Sequence, residues 1–98
     1  MMPVTVTLAF SVIPKRAEAF KALLRELLPD TRAYEGCLKV DGYEDQDNAG
    51  FIYLVGDWES KAHQQRYQEW RDESGIARVV GPFLASEPRL NYLDKQDI

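Results

Sequence analysis

The sequence predicts an α+β domain with the element order strand, helix, strand, strand, helix, strand and a four-stranded antiparallel sheet. Three observations support this prediction. The N-terminal stretch alternates large and small side chains, two later stretches repeat apolar or aromatic residues at helical spacing, and a polar, turn-forming segment joins two apolar stretches in mid-chain. At 98 residues, without a repeat or a linker, residues 1–98 are expected to form one domain. Its core is expected from about residue 4 to residue 93, before a frayed acidic tail over 94–98.

The first strand and the first helix are predicted from a change of period. Over residues 4–12, large apolar side chains hold the even positions and small ones the odd positions, which is typical of a strand with one buried face. Over residues 15–28, apolar residues recur every three or four positions, which indicates an amphipathic helix. Pro29 is predicted to kink or interrupt this helix, and Asp30 to cap a final turn that stops before Gly36.

The second half of the domain is predicted to contain a hairpin, a helix and a last strand. The predicted elements are strands at Cys37–Glu44 and Phe51–Trp58, a helix capped by Ser60 that runs from Lys61 to about Glu73 and ends at Gly75, a short helical piece or loop over 76–84, and a strand over 88–93. A hairpin between the two middle strands makes this the βαββαβ order of ferredoxin-like folds, with both helices on one face of the sheet.

The third strand is apolar on both faces, which bears on the oligomeric state. One face carries Phe51, Tyr53 and Val55, and the other carries Ile52, Leu54 and Trp58. Two helices cover only one of these rows, whereas an antiparallel sheet with one solvated face alternates apolar and polar residues. A second copy of the sheet is therefore predicted to cover the other row, giving a homodimer. The alternative is a small monomer with an apolar face.

Composition and charge exclude several classes of function. Twelve Lys and Arg against sixteen Asp and Glu give a net charge of −4, so neither nucleic acid nor an anionic membrane is an expected partner. Cys37 is the single cysteine, which allows no internal disulfide and suits a reducing compartment. No signal-like or membrane-spanning run occurs, and a cytoplasmic location is expected. One histidine and one cysteine do not make a convincing metal site, so no metal is predicted.

Four short motifs, in order along the chain, resemble one known family. They are Phe10–Pro14 followed by Glu18-Ala19-Phe20, Gly36-Cys37-Leu38, Asp57-Trp58-Glu59-Ser60, and Tyr67–Gly75, which contains a Tyr-x-x-Trp-Arg-x-Glu-x-Gly pattern. Together they are similar to the antibiotic biosynthesis monooxygenase (ABM) family, in a branch that resembles quinol monooxygenases. The resemblance extends from about Val4 to Tyr92.

The resemblance implies an architecture and an activity. The expected architecture is a dimeric α/β barrel, in which two sheets face one another and each subunit keeps a pocket between its own sheet and helices. The expected activity is oxygenation of a small phenol or hydroquinone without a cofactor, because the substrate anion supplies the electron that dioxygen needs. The family also includes haem-degrading enzymes, which use an asparagine on the first strand, and residues 4–12 contain none.

Five residues are the candidates for the site. His63, Tyr67 and Trp70 are spaced i, i+4 and i+7 and are predicted to share the face of the second helix that looks at the sheet. His63 is proposed as a catalytic base, because histidine accepts protons near neutral pH. Trp58 is proposed as a second catalytic residue from the resemblance. Tyr67, Trp70 and Arg78 are expected to contact the substrate.

The alternatives for these residues are structural, and the alternatives for the protein are other functions. A histidine that is only hydrogen-bonded at the helix edge, aromatic residues that only pack, and a solvated arginine would explain the same sequence. Leu54 also stands where several family members carry an asparagine. Two alternatives to the monooxygenase hypothesis therefore stay open. They are a non-oxidative, isomerase-like enzyme and a binding module for a small metabolite, each using the same pocket.

Overall fold

The computed structural model describes residues 3–98, and its sheet has the predicted topology. The elements are β1 (Val4–Ser11), α1 (Ala17–Ala33), β2 (Cys37–Glu44), β3 (Phe51–Trp58), α2 (Lys61–Glu73), α3 (Ile76–Val80) and β4 (Arg89–Leu93), with short 3-10 turns at Pro14–Arg16 and Gly81–Phe83. The strand order is β2-β3-β1-β4, and every neighbouring pair is antiparallel. This is the ferredoxin-like arrangement, so the predicted fold class is confirmed.

Helix α1 differs from its prediction because it continues through Pro29 to Ala33. Proline removes one N–H, whose intrahelical partner would be the carbonyl of Arg25. Both Arg25 and Pro29 are exposed, so water can hydrate that carbonyl. Leu28 and Thr31, on the buried side of the same turns, hold the helix against the sheet. The prediction that Pro29 interrupts the helix and that Asp30 caps a new turn is therefore wrong.

The register of the sheet determines which residues meet the helices. Leu8 lies opposite Leu54, and Phe10 opposite Ile52, so the even positions of β1 and β3 share the helix-facing side. Two groups of buried side chains form the core on this side, which are Phe10, Val12, Phe20, Leu24 and Ile52 at one end and Val4, Val6 and Trp58 at the other.

The opposite side of the sheet exposes large apolar side chains. Phe51 and Tyr53 of β3 are 43% and 37% exposed, and Tyr43, which pairs with Tyr53, is 57% exposed. Leu93 of β4 adds a fourth apolar side chain to the exposed residues. The expectation that both faces of β3 carry apolar side chains is thus confirmed for the single chain.

The two long helices bury different kinds of side chain. The buried positions of α1 are mainly apolar, including Phe20 and Leu24, whereas those of α2 are Gln64 and Arg71. Helix α2 begins as predicted at Ser60, whose side chain accepts a hydrogen bond from the backbone N–H of His63. Within residues 3–98 no helix combines the length and the hydropathy that a membrane crossing requires.

Candidate functional site

Two small adjoining cavities lie between the sheet and the helices α1 and α2. Their volumes are about 60 and 80 Å³. They share a floor of leucines and a roof of polar and aromatic groups; the residues common to both are Leu8, Leu28, Thr31, Leu54, Tyr67 and Gln68. These shared side chains form the common boundary of the two spaces. The combined space approaches the cavity of about 150 Å³ that holds a benzene molecule in an engineered protein.

Trp58 forms one end of the smaller cavity. It ends β3 opposite Val4 and is 3% exposed, because Tyr67 of α2 packs over it with ring centroids 5.1 Å apart. An aromatic side chain of this kind offers a flat apolar surface to a ring-shaped ligand and keeps water out. The structure thus brings together two of the predicted site residues, Trp58 and Tyr67.

Tyr67 carries the central polar atom of the site. Its hydroxyl accepts a hydrogen bond from Nε of Arg71 at 2.8 Å and lies 2.6 Å from the Thr31 hydroxyl. Since Thr31 belongs to α1, this contact joins the two helices above the cavities. Hydroxyl groups fixed in this way present a defined hydrogen-bonding surface to a ligand.

Arg71 is a site residue that the sequence reasoning missed. It is 7% exposed, and its Nη2 donates to the Leu27 carbonyl at 2.8 Å and to the Thr31 hydroxyl at 3.1 Å. The guanidinium carbon lies 4.7 Å from the centre of the Trp70 ring. Arg71 forms no ion pair with any residue of the described range 3–98. A positive charge thus borders the larger cavity.

A second chain of polar groups runs along α2. The Tyr92 hydroxyl donates to Oε1 of Gln64, whose Nε2 lies 3.5 Å from Oε1 of Gln68, and Gln68 in turn donates to Asp72. Burial raises the pKa of the Tyr92 phenol above its ordinary value, because the phenolate would be poorly solvated there. Gln64 and Gln68 add amide groups to the cavity lining.

His63 lies outside both cavities. Its Nδ1 is 2.7 Å from the Ser60 hydroxyl and its Nε2 is 3.6 Å from the Glu59 carboxylate. It lines a separate, open depression of about 470 Å³ together with Pro3, Leu38, Glu59 and Ser60. The prediction that His63 faces the same site as Tyr67 from the second helix is therefore wrong. On a helix the adjacent residue points about 100° away, and it is Gln64 that faces inward.

Trp70 and Arg78 also lie away from the cavities. Trp70 is 38% exposed and packs on the outer side of Tyr34, with ring centroids 5.4 Å apart, and over Arg71. Arg78 belongs to α3 and is exposed. Neither lines the two sheet–helix cavities, so their expected contact with a substrate in that pocket is corrected. Trp70 instead covers the residues that form the roof.

The inward-facing residues of α2, of which only Tyr67 was predicted as a site residue, have a recognisable spacing. Gln64, Tyr67, Gln68 and Arg71 are spaced i, i+3, i+4 and i+7, which is the spacing of a buried helix face. Gln64, Gln68 and Arg71 were not predicted as site residues, because polar side chains form no apolar stripe along the helix. Leu54, in contrast, was singled out from the sequence, and it lines both cavities.

The described residues 3–98 contain no group of three His, Cys, Asp or Glu side chains that could hold a metal ion. Burial raises the pKa of the Cys37 thiol, because the thiolate is poorly solvated at the start of β2. A raised pKa disfavours the nucleophilic thiolate. The chemistry available to the cavities is therefore that of hydroxyl, amide and guanidinium groups.

Comparison with known proteins identifies relatives of the same fold. This chain is similar to the structure of Rv0793 from Mycobacterium tuberculosis, with 27% sequence identity and a TM-score of 0.83. The match covers 99% of this chain and 98% of Rv0793. PA3566 from Pseudomonas aeruginosa shows 25% identity and a TM-score of 0.83, with 98% of this chain and 96% of PA3566 covered. A crystal structure named antibiotic biosynthesis monooxygenase shows 18% identity and a TM-score of 0.83, with 95% of this chain and 98% of that chain covered. Among curated proteins none matches.

The family itself is shown by a sequence model rather than by these structures. The model described as "Antibiotic biosynthesis monooxygenase" matches residues 3–79, which include β1, both long helices and the hairpin. The matched region also contains Trp58, Tyr67 and Arg71. The chain therefore belongs to the antibiotic biosynthesis monooxygenase family.

Proposed function

We propose that this protein is a cofactor-independent monooxygenase that oxidises a small phenol or hydroquinone with dioxygen in the space between the sheet and α2. The observation that carries the proposal is the cavity pair itself. Its walls are apolar, its roof carries the Tyr67 hydroxyl, and the Trp58 ring closes one end. Family membership supports the oxygenase class of reaction.

The proposed reaction needs no external reductant, because the substrate supplies all the electrons. One oxygen atom of dioxygen enters the ring and the other leaves as water. A phenol then becomes a quinone, and a hydroquinone becomes a hydroxyquinone. The protein has to bind the phenolic anion, hydrogen-bond the charged oxygen and exclude water.

The cavity lining supports a role for each of two residues. Tyr67 lies in the walls of both cavities, so its hydroxyl is placed to hydrogen-bond a phenolic oxygen. Trp58 is buried and provides a flat surface for the ring. The small volumes of about 60 and 80 Å³ favour a single-ring substrate over fused-ring phenols.

A non-oxidative enzyme or a binding module is the second candidate function. Leu54 favours it, because its apolar side chain lines both cavities from the sheet side, where several relatives are expected to carry an asparagine. Without that amide, the sheet wall offers a ligand no hydrogen bond at this position. The same single-ring ligand would then bind without reacting with dioxygen.

An oxygen electrode separates the two candidates. Single-ring hydroquinones and phenols are supplied in turn with labelled dioxygen, and the product is examined by mass spectrometry. Uptake of one dioxygen per substrate, with one labelled atom in the quinone product, supports the monooxygenase. Saturable binding of the same compounds without oxygen uptake supports a binding module, and an isomerised product supports a non-oxidative enzyme.

Two variants test the assignment of residues. Tyr67→Phe is expected to lower turnover by about 10²-fold, within the range for the loss of a group that assists proton transfer or binds an oxyanion. His63→Ala is expected to leave turnover unchanged, because His63 lines a different depression. A fall of about 10²–10⁴-fold in His63→Ala would instead restore histidine as the base.

We also propose that the functional unit is a homodimer in which a second copy covers the outer face of the sheet. Tyr43, Phe51, Tyr53 and Leu93 support this, since each is more than one-third exposed on a single chain. Light scattering coupled to gel filtration measures the mass. A dimer mass that shifts to a monomer in Tyr53→Lys, but not in Glu26→Lys on the exposed side of α1, supports the proposal. A monomer mass for the wild type at low micromolar concentration contradicts it.

A further inference from the structure

Arg71 is the one buried charged side chain in the described part of the chain, residues 3–98. Its hydrogen bonds go to neutral oxygens, those of Tyr67, Leu27 and Thr31. Neither Nε nor Nη2 meets a carboxylate. Nη1 has no hydrogen-bond partner among the described residues, and it is accessible to a water-sized molecule, because none of their unpartnered side-chain nitrogen or oxygen atoms is fully buried. The guanidinium therefore keeps an unbalanced positive charge beside a cavity.

An unbalanced buried charge is unfavourable unless something compensates for it. Removing an ion from water costs several kcal/mol in real proteins, by order of magnitude. The Trp70 ring at 4.7 Å and the Tyr67 ring at 5.4 Å compensate for part of this through cation–π attraction. The larger cavity, which Arg71 lines, is otherwise bordered by uncharged residues, including Leu24, Ile76 and Val80, and by no carboxylate. This cavity is where a counter-charge is missing.

We infer that Arg71 forms an oxyanion subsite, and that the natural ligand is a small aromatic molecule carrying a carboxylate or a phenolate oxygen that pairs with the guanidinium. The planar guanidinium is suited to such oxygens because its N–H groups bind them directionally. The Tyr67 and Thr31 hydroxyls, which Arg71 already contacts, provide further hydrogen-bonding groups at the same end of the cavity. The inference rests on the proposed function for the place of the ligand, and it assigns to Arg71 the pairing with the charged oxygen of that ligand.

A purely structural role for Arg71 predicts a different behaviour. If Arg71 only joined α2 to α1, through its hydrogen bonds to the Leu27 carbonyl and the Thr31 hydroxyl, it would stabilise the fold. It would then not discriminate between charged and neutral ligands. A pair of ligands of equal shape and different charge separates the two roles on the wild-type protein. That comparison does not depend on the folding of any variant.

The test is an NMR titration with benzoate and benzamide at neutral pH and with 4-nitrophenol over a range of pH. Dioxygen is excluded, because 4-nitrophenol is itself a single-ring phenol. Benzoate is ionised at neutral pH, and benzamide is its neutral counterpart. Benzoate is expected to bind about ten- to a hundred-fold more tightly than benzamide, as for a hydrogen bond to a charged group. Titration of 4-nitrophenol below and above its own ionisation reports whether a phenolate is accepted as well as a carboxylate.

Variants locate the subsite. Arg71→Met is expected to abolish the preference for benzoate over benzamide, and Arg71→Lys to keep part of it. Arg66→Met is the matched control, since Arg66 lies on the exposed side of the same helix. Benzamide binding as tightly as benzoate, failure of every ligand to bind, or a benzoate preference that survives in Arg71→Met would each overturn the inference.

The outcome is independent of turnover. Benzoate selectivity that depends on Arg71, in a protein that consumes no oxygen with hydroquinones, supports the anion subsite and rejects the oxygenase. Oxygen consumption with hydroquinones, by a protein that binds benzoate no more tightly than benzamide, supports the oxygenase and rejects the anion subsite. The two proposals can therefore fail separately.

Discussion

Removal of the Tyr67 hydroxyl tests the hydrogen-bonding scheme of the site in the folded protein. Tyr67→Phe keeps the ring that packs on Trp58, so no cavity is created in the core. It removes the oxygen that accepts from Nε of Arg71 at 2.8 Å and that lies 2.6 Å from the Thr31 hydroxyl. Thr31 keeps its contact with Arg71 Nη2, but Nε of a buried guanidinium loses its partner. A hydrogen bond to a charged group contributes about 1.5–3 kcal/mol, so the free energy of unfolding should fall by that amount.

Denaturant unfolding at one fixed protein concentration measures this loss, and thermal unfolding provides a check. For a domain of this size each kcal/mol corresponds to about 4–8 °C in Tm. Tyr34→Phe is the matched control, because the Tyr34 hydroxyl makes only a 3.5 Å contact with the backbone carbonyl of Arg66. It should lose less than about 0.5 kcal/mol. Equal losses in the two variants would refute the reasoning.

Three further predictions concern the fold. Leu24→Ala should lower the free energy of unfolding by about 2–4 kcal/mol, because Leu24 lies in the main core cluster. Substitution of the exposed Glu18 by alanine should change this free energy by less than about 0.5 kcal/mol. Similar denaturant midpoints for the two variants would contradict the orientation of α1. Hydrogen bonds from a lysine ammonium of α1 and a backbone N–H lower the pKa of Glu44. The ionised Glu44 carboxylate therefore contributes to folding stability above its unfolded-state pKa, and this contribution is lost as the pH falls through its folded-state pKa. When unfolding free energies are measured at decreasing pH, Glu44→Gln should therefore lose less stability than the wild type. Gly36→Ala should lower the free energy of unfolding by at least about 1 kcal/mol more than Gly75→Ala. Both glycines have positive φ, but of the two only Gly36 would bring the added Cβ against a side chain, that of His63 at 2.5 Å. Equal unfolding free energies for the two variants would contradict this packing.

The contrast between the two helices separates stability from function. Helix α1 buries Phe20 and Leu24 and contributes to the core, as its sequence indicates. Helix α2 buries Gln64 and Arg71, which a helix selected only for packing would replace with apolar residues. Places where a local rule is broken in this way are expected to be functional sites. The polar inner face of α2 is therefore the strongest structural indication of a ligand-binding site in this chain.

Much of the fold followed from the sequence, because local periodicity reports which face of an element is buried. The alternation in β1, the turn residues 45–50 and the Ser60 cap predicted strands and the start of α2, which the structure reproduces within one residue. The bounds of β2 and β3 were predicted without error. In an antiparallel sheet these strand phases also determine which side chains meet the helices.

The site depended on tertiary structure. The rotation of α2 could not be read from its sequence, because hydrophobic periodicity is uninformative when the buried face is polar. Only packing against α1 shows that Arg71 reaches Leu27 and Thr31, partners 44 and 40 residues away in the chain. Pro29 likewise follows tertiary contacts rather than its local propensity, since burial of the neighbouring turns outweighs one lost hydrogen bond. Local periodicity thus determined the elements and their apolar faces, whereas long-range packing decided which polar groups share the cavity.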